Sequence, residues 1–324
     1  MNTNSDYQIL ALVLITVIPR ACVFATENQK LTLTNITKEK EREEMDRKGC
    51  IGGSDIASVM GVSRWKTPLQ LWAEKTGEVE PEDISEKENV HFGTILEDVV
   101  AKEFERRTGL TVRKAPKNYQ MQDYPYMRCQ VDRLVTGTDD LLECKTCSAW
   151  GAKEWEGEEI PTEYILQVSW QLMITGRKTG YIAVLIGGQK FVWKKIEADY
   201  ELFGNLRDSA IRFWQMVQDK TPPVAEAADN SFMVELYPNA GADIKEATED
   251  MVSAVALLQQ TKAQIIDLES TKKELEAKIK AVIGDNLGID TPEYLVTWKE
   301  QKGSTYTVTR PDSRVLRIKK KGGK

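Results

Sequence analysis

A chain of 324 residues is long enough for one large domain or a domain with an appendage, and a hydrophobic content of 41% permits a packed core, which excludes a wholly disordered chain. The formal net charge of −6 supplies no global attraction to nucleic acid, so binding to a polyanion would have to come from local basic clusters or bridging metal ions. Five cysteines, an odd number at positions 22, 50, 129, 144 and 147, do not read as a disulfide framework and point to a reducing cytosol.

The chain opens with an apolar run, "ILALVLITVIP" from Ile9 to Pro19, about the length of a signal-peptide core but too short to span a bilayer. No Lys or Arg precedes it, which argues against a secretory signal; residues 1–30 read as an extension outside the fold of a cytoplasmic protein. "ITKEKEREEMDRKG" (Ile36 to Gly49) is charged and helix-prone, with Gly49 as its stop. A glycine turn follows in "GCIGGSDIASVMG", where Ser54 or Asp55 can cap the next short helix. In "SRWKTPLQLWAEKTG", Leu69, Trp72 and Ala73 repeat at i, i+3 and i+4. In "NVHFGTILEDVVAKEFERRTG", Ile95, Val99, Val100 and Phe104 predict the buried face of an amphipathic helix closed by Gly109.

Three β-type runs come next: "TVRKA", "YMRCQVDRLV" and "DLLECKTC". A helix is expected from about Pro161 to Thr175, then a strand "GYIAVLIGG" with "KFVWKKI" as its hairpin partner, then a helix over "ELFGNLRDSAIRFWQMVQDK". The order implies an α/β or α+β fold with a mixed central sheet flanked by helices. "TPPVAEAADN" reads as a linker by composition, giving a body over 31–230 and a C-terminal helical extension over 231–324. In that extension Met251, Ala254, Leu258, Thr261, Ile265, Leu268, Lys272, Leu275, Ile279 and Val282 alternate steps of three and four, a heptad seam blemished at Thr261 and Lys272. A helix packed back on the body, a helical hairpin and an intermolecular coiled coil all satisfy the pattern. The closing "RPDSRVLRIKKKGGK" carries seven basic residues against one acid.

The charged hairpin "VDRLVTGTDDLLECKT" carries the chemistry. With Gly137 and Thr138 as a two-residue loop, paired residue numbers sum to 275, which sets Asp132 opposite Glu143 with Cβ atoms roughly 4.5 to 5.5 Å apart. Lys145 points to the same face, while Val131, Val135, Leu142 and Cys144 fall on the other with Arg133 as the exception. Like carboxylates directly opposite one another destabilise a sheet, and a divalent cation removes that penalty. Asp, Glu and Lys are common residues, so a solvated hairpin face is the competing reading of this pattern alone.

Four blocks in order, "RKGCIGGSDIASVMG", "VHFGTILEDVVAKEFERRTG", "CQVDRLVTGTDDLLECKT" and "YILQVSWQLMITG", resemble the YqaJ-like viral recombinase family of lambda-type exonucleases, within the PD-(D/E)xK nuclease superfamily. The resemblance spans about Leu31 to Asn230. It implies a restriction-endonuclease-like core and a Mg2+-dependent exonuclease, with Mn2+ able to substitute, that digests one strand of duplex DNA from a 5′ end. The resulting 3′ overhang would serve a single-strand annealing protein, and the enzyme would be a homo-oligomer, a trimer by analogy. Glu97, Asp132, Glu143, Lys145 and Gln167 become catalytic residues, and Glu97, Asp132, Glu143 and the backbone carbonyl of Cys144 become metal ligands. Arg47 and Ser54 would bind the 5′-phosphate, and Tyr164 would support the site. His91 is set aside as incidental, and the Cys144/Cys147 pair falls short of the four thiolates of an iron–sulfur cluster. The rival expectations are an endonuclease of the same fold acting on branched DNA and a noncatalytic protein that binds DNA ends or partners.

Overall fold

The computed structural model describes residues 47–115, 118–309 and 313–319. The apolar run at 9–19, most of the charged segment at 36–49 and the end of the basic tail lie outside the described residues. The chain divides into two compact units, Met1–Tyr237 and Pro238–Lys324.

In the first unit, helix α1 (Ile56–Val59) follows the glycine turn, and α2 spans Pro68–Thr76. Thr67 caps α2 in a reciprocal box with Gln70, and Leu69, Trp72 and Ala73 are all buried, as their spacing requires. Helix α3 (Glu88–Thr108) ends at Gly109 in the left-handed region. The strands are β1 (Val112–Lys114), β2 (Tyr119–Gln120), β3 (Arg128–Cys129), β4 (Arg133–Val135) and β5 (Leu141–Cys147). A 3-10 segment (Ala149–Trp155) leads to α4 (Thr162–Thr175), hairpin β6 (Thr179–Ile186) and β7 (Lys190–Glu197), and α5 (Tyr200–Gln218).

Five strands form one mixed sheet in the order β1-β4-β5-β6-β7, antiparallel except for the β5–β6 pair. That parallel pair is joined through α4, the long crossover that parallel neighbours need. The second residue of β6 is Gly180 because α4 lies close there: a Cβ at this position would stand 2.6 Å from Val168 Cγ1. Helices cover both faces. Leu134, Leu141, Ile182 and Val184 join the large core with Leu166, Val168 and Leu172 of α4, whereas Leu142 and Ala183 pack with Val100 and Phe104 of α3.

Three expectations change. The expected buried face of α3 is rotated: Val100 and Phe104 are buried, but Ile95 and Val99 are exposed. The stripe turned toward the sheet is Glu97, Val100, Ala101 and Phe104, at i, i+3, i+4 and i+7, so a carboxylate heads the buried row where hydrophobicity alone selects Ile95. The run from Tyr126 to Val135 is two strands, not one: β3 pairs with β2 in a separate ribbon and β4 enters the main sheet, leaving residues 130–132 outside regular pairing. Val131 accordingly joins the large core with Leu141 instead of following Leu142. Finally, the Pro-rich stretch after α5 does not behave as a free linker. Asp229 is fully buried, accepts from Thr67 Oγ1 at 2.5 Å and from the Glu226 amide at 2.8 Å, and leads into α6 (Phe232–Leu236), whose Phe232 and Leu236 join the core.

The second unit holds one unbroken helix, α7 (Glu249–Ile283, 35 residues), N-capped by Thr248, and a small hairpin of β8 (Gly288–Asp290) and β9 (Leu295–Thr297). The continuity of α7 removes the helical-hairpin reading. No helix among the described residues is long and apolar enough to cross a membrane.

Candidate active site

The hairpin register is the one the turn imposes. Arg133 pairs with Leu142 and Leu134 with Leu141, so partner numbers sum to 275, and Gly137 takes φ +84 in the turn, a conformation that glycine adopts without a Cβ penalty. Continued one step, the register faces Asp132 with Glu143. Asp132 lies just before β4, where regular pairing has lapsed, and its Oδ2 accepts instead from the backbone N–H of Cys144 at 2.8 Å. Glu143 is buried in the sheet centre. Its Oε1 accepts from Gln167 Nε2 and takes the Lys145 ammonium at 2.7 Å, and its Oε2 accepts from Gln171 Nε2 at 2.7 Å. Gln167 and Gln171 stand one helical turn apart on α4, so both amides reach the same carboxylate.

The electrostatics follow from burial. Removal from water, and next the Glu143 charge, push the Asp132 carboxyl up to about 8; the Cys144 amide and Lys145 pull the other way, and Glu97 adds the least. Burial works against the Lys145 ammonium, but Glu143 offsets this and its pKa ends above the usual lysine value. Burial and the two neighbouring carboxylates also raise the Cys144 thiol, which keeps it protonated. The buried Glu143 carboxylate and the half-buried Asp132 carboxylate, crowded onto one spot, form an oxygen donor set that suits a hard divalent cation, with the Cys144 carbonyl adjacent in sequence. Among the described residues no group of three His, Cys, Asp or Glu side chains is placed to hold a metal.

Glu97 is held by Arg133 and lies close enough to Asp132 to add to the charge that carboxyl feels. Its Oε1 accepts from Arg133 Nη1, and Asp98 Oδ1 accepts from Arg133 Nη2. Arg133, the apparent misfit on an apolar face, is thus a buried cation neutralised by two acids of α3, and its Nη1 also donates to the Asp132 carbonyl at 2.7 Å. Tyr164 lies where it can support the site: its ring takes the Lys145 ammonium at 5.5 Å from the centroid and stacks on Trp155 at 5.4 Å.

The glycine turn closes onto the same place. A Cβ on Gly53 would stand 3.4 Å from Gln167 Cγ, so the turn rests directly on the glutamine that holds Glu143. Ile51 is bridged to Met127, and Trp170 of α4 donates to the Arg128 carbonyl at 2.9 Å, which fixes the turn against β3 and α4. Lys75 ties its flanks, donating to the Arg47 carbonyl at 2.6 Å and to Asp55 Oδ2 at 2.7 Å. Asp55 is the N-cap residue of α1, but its side chain bonds back to the Gly52 amide rather than forward into the helix. Arg47 and Ser54 are both exposed, one on each flank of this turn. His91 is exposed beside Phe92 and joins no charged cluster.

Gln171, Asp98 and Lys75 were not singled out by the sequence, and Arg133 stood out only as a misfit on an apolar face. Gln171 carries a usable signal, since it follows Gln167 by four residues on a helix that is otherwise apolar at those positions. Lys75 carries none; its partners are a backbone carbonyl and an acid 20 residues away.

The sequence profile of the YqaJ-like viral recombinase domain matches residues 44–178. The chain is 39% identical over 272 residues to the uncharacterized protein YqaJ of Bacillus subtilis (strain 168), covering 81% of this chain and 84% of that protein. Similar solved structures include an alkaline exonuclease (LHK-Exo) from Laribacter hongkongensis, 19% identical with a TM-score of 0.48 over 56% of this chain and 93% of that one. A phage related exonuclease from Haemophilus somnus 129PT is 12% identical with a TM-score of 0.36, over 53% of this chain and 96% of that one. With the profile falling on the hairpin, α3 and α4 that build the site, and with 39% identity over most of both sequences, this chain belongs to the YqaJ-like viral recombinase family.

Proposed function

We propose that this protein is a Mg2+-dependent exonuclease that degrades one strand of duplex DNA from a 5′ end and leaves a 3′ single-stranded overhang for an annealing protein, with Mn2+ able to replace Mg2+. The observation that carries the reading is the cluster of the buried Glu143 with the half-buried Asp132 and Lys145, held by Gln167 and Gln171, in a chain of this family. A hairpin with only a structural task gains nothing from crowding two acids together; perturbed, crowded carboxylates mark a candidate site.

Asp132 and Glu143, with the Cys144 carbonyl, would hold the cation. When bound there, it supplies Lewis-acid polarisation of a phosphoryl oxygen and a lowered pKa for an attacking water. The chain's own groups do the rest. Lys145 is an ammonium fixed by Glu143 and the Tyr164 ring, a preorganised positive charge for the developing negative charge at phosphorus. Gln167 holds the Glu143 carboxylate through its N–H and keeps its carbonyl as an acceptor, so it positions without adding charge. Arg47 and Ser54, on the turn that rests on Gln167, are assigned to the terminal 5′-phosphate: a guanidinium fork and a hydroxyl suit a phosphate monoester. Glu97 orders the site through Arg133, whose guanidinium also holds the Asp132 carbonyl.

The test is Mg2+-dependent release of nucleotides from linear 5′-phosphorylated duplex, beside closed circular and branched DNA. Release from free 5′ ends alone, lost in Lys145→Ala while end binding persists, is expected. Equal cutting of closed circles would replace the exonuclease with an endonuclease of the same fold.

A further inference from the structure

We propose that α7 is a self-association element: two copies of this chain pair through it as an antiparallel two-stranded coiled coil. The helix is a single rod of 35 residues, about 50 Å long at 1.5 Å per residue. Met251, Ile265, Leu268, Leu275 and Val282 are all exposed along it. Only Ile283, at its end, is buried.

The spacing selects the kind of partner. The seam keeps a strict seven-residue repeat from Met251 to Val282. On a straight helix such a seam drifts by roughly 20° per heptad, so it stays in contact only with a partner that supercoils alongside it. A flat protein surface cannot follow it over this length. Among the described residues the next longest helix is α3, of 21 residues. A rod that matches α7 in length and pattern is α7 of a second copy.

The polar positions then select the direction. A parallel, in-register pair would set Lys272 against Lys272 and Ala254 against Ala254, one a like-charge contact and the other a gap. Reversing one helix about the point between Ile266 and Asp267 pairs positions whose numbers sum to 533. Any seam of this kind is then paired end to end, but here the two blemishes, Thr261 and Lys272, fall opposite each other. Leu258 meets Leu275, Ile265 meets Leu268, and the small Ala254 meets the large Ile279. On the flank of the seam the reversal brings Lys262 beside Glu269 of the other helix, and by symmetry does so twice. The parallel arrangement offers no opposite-charge pair there: Gln264 would face Glu269, and Thr271 would face Glu276. A polar pair inside the seam costs stability and fixes register and orientation.

Disulfide trapping on the full-length chain tests this, with the unmodified chain as control for its own cysteines. Mixing Thr261→Cys with Lys272→Cys chains is expected to give a cross-linked dimer under mild oxidation, and neither variant alone should do so beyond the control. Sedimentation of the unmodified chain at tens of micromolar should show self-association that Leu258→Glu/Leu275→Glu weakens by at least tenfold. Lys262→Glu, at an exposed position that leaves the helix intact, should weaken it less, and adding Glu269→Lys should restore it. A monomeric unmodified chain, an assembly unchanged by the paired Leu variant, or Thr261→Cys cross-linking to itself would each overturn the proposal.

Discussion

Gln171, buried in α4, donates through one nitrogen to Glu143 Oε2 at 2.7 Å and to the Gln130 carbonyl at 3.0 Å. It therefore links the carboxylate at the sheet centre to the irregular residues just before Asp132. Replacing it by Leu strands the buried Glu143 oxygen and removes the bond to the Gln130 carbonyl, at a cost of about 1–3 kcal/mol in stability. Because it positions a proposed metal ligand, nuclease activity should also fall by about 10- to 100-fold, with a higher Mg2+ concentration needed for half-maximal rate. A loss of stability with an unshifted Mg2+ requirement would leave Gln171 a structural residue only.

Asp132 and Glu143 crowd each other when no cation is present, and one neutral substitution should relieve that. Asp132→Asn keeps an oxygen for the Cys144 amide and is expected to stabilise the metal-free protein by on the order of 1 kcal/mol while abolishing activity, the usual trade at a functional site. Millimolar Mg2+ should raise the melting temperature of the unmodified chain and not that of the variant. Thermal melts with and without EDTA read both effects.

The Tyr164 contact to Lys145 is through the ring face. Tyr164→Phe should therefore keep most of the activity. Tyr164→Leu removes an attraction of about 0.5–2 kcal/mol and leaves the ammonium held by Glu143 alone, so the chemical step should slow by about tenfold. Single-turnover rates of the two variants separate the ring from the hydroxyl.

Arg133 is buried with two acids of α3, and either acid alone neutralises it. Asp98→Ala should cost at most about 1 kcal/mol, because that carboxylate is largely exposed and the pair is screened by water. Glu97→Ala combined with Asp98→Ala leaves an uncompensated guanidinium and should cost about 3–5 kcal/mol. Urea denaturation of the single and double variants tests the difference.

Asp229 anchors the chain after α5 to the cap of α2 through Thr67. Asp229→Ala should cost about 1–3 kcal/mol and speed amide exchange across 226–237, leaving the metal requirement unchanged. Exchange confined to the last residues of α5 would contradict the anchoring role.

Periodic and turn-coded features were legible in the chain. Leu69, Trp72 and Ala73 declare a buried helix face, Gly137 declares the turn, and the turn fixes the register that faces Asp132 with Glu143. The break between β3 and β4 was not legible, because "YMRCQVDRLV" is uniformly strand-like and only the pairing of β3 with β2 draws it out of the main sheet. Nor was the anchoring of Asp229, whose partner Thr67 lies 162 residues away.

What the sequence determined by itself is the set of local geometries and the chemical groups they carry: the hairpin register, the two glutamines one turn apart on α4, and the seven-residue repeat of α7. Each depends on spacing within one or two adjacent elements, which backbone periodicity translates directly into a face. Tertiary structure alone decided which face of α3 turns inward, and so why Glu97 meets Arg133 rather than water, and how the Gly53 turn comes to rest on Gln167. Those outcomes depend on the packing of elements distant in sequence, where close contact and charge neutralisation outweigh local hydrophobic preference.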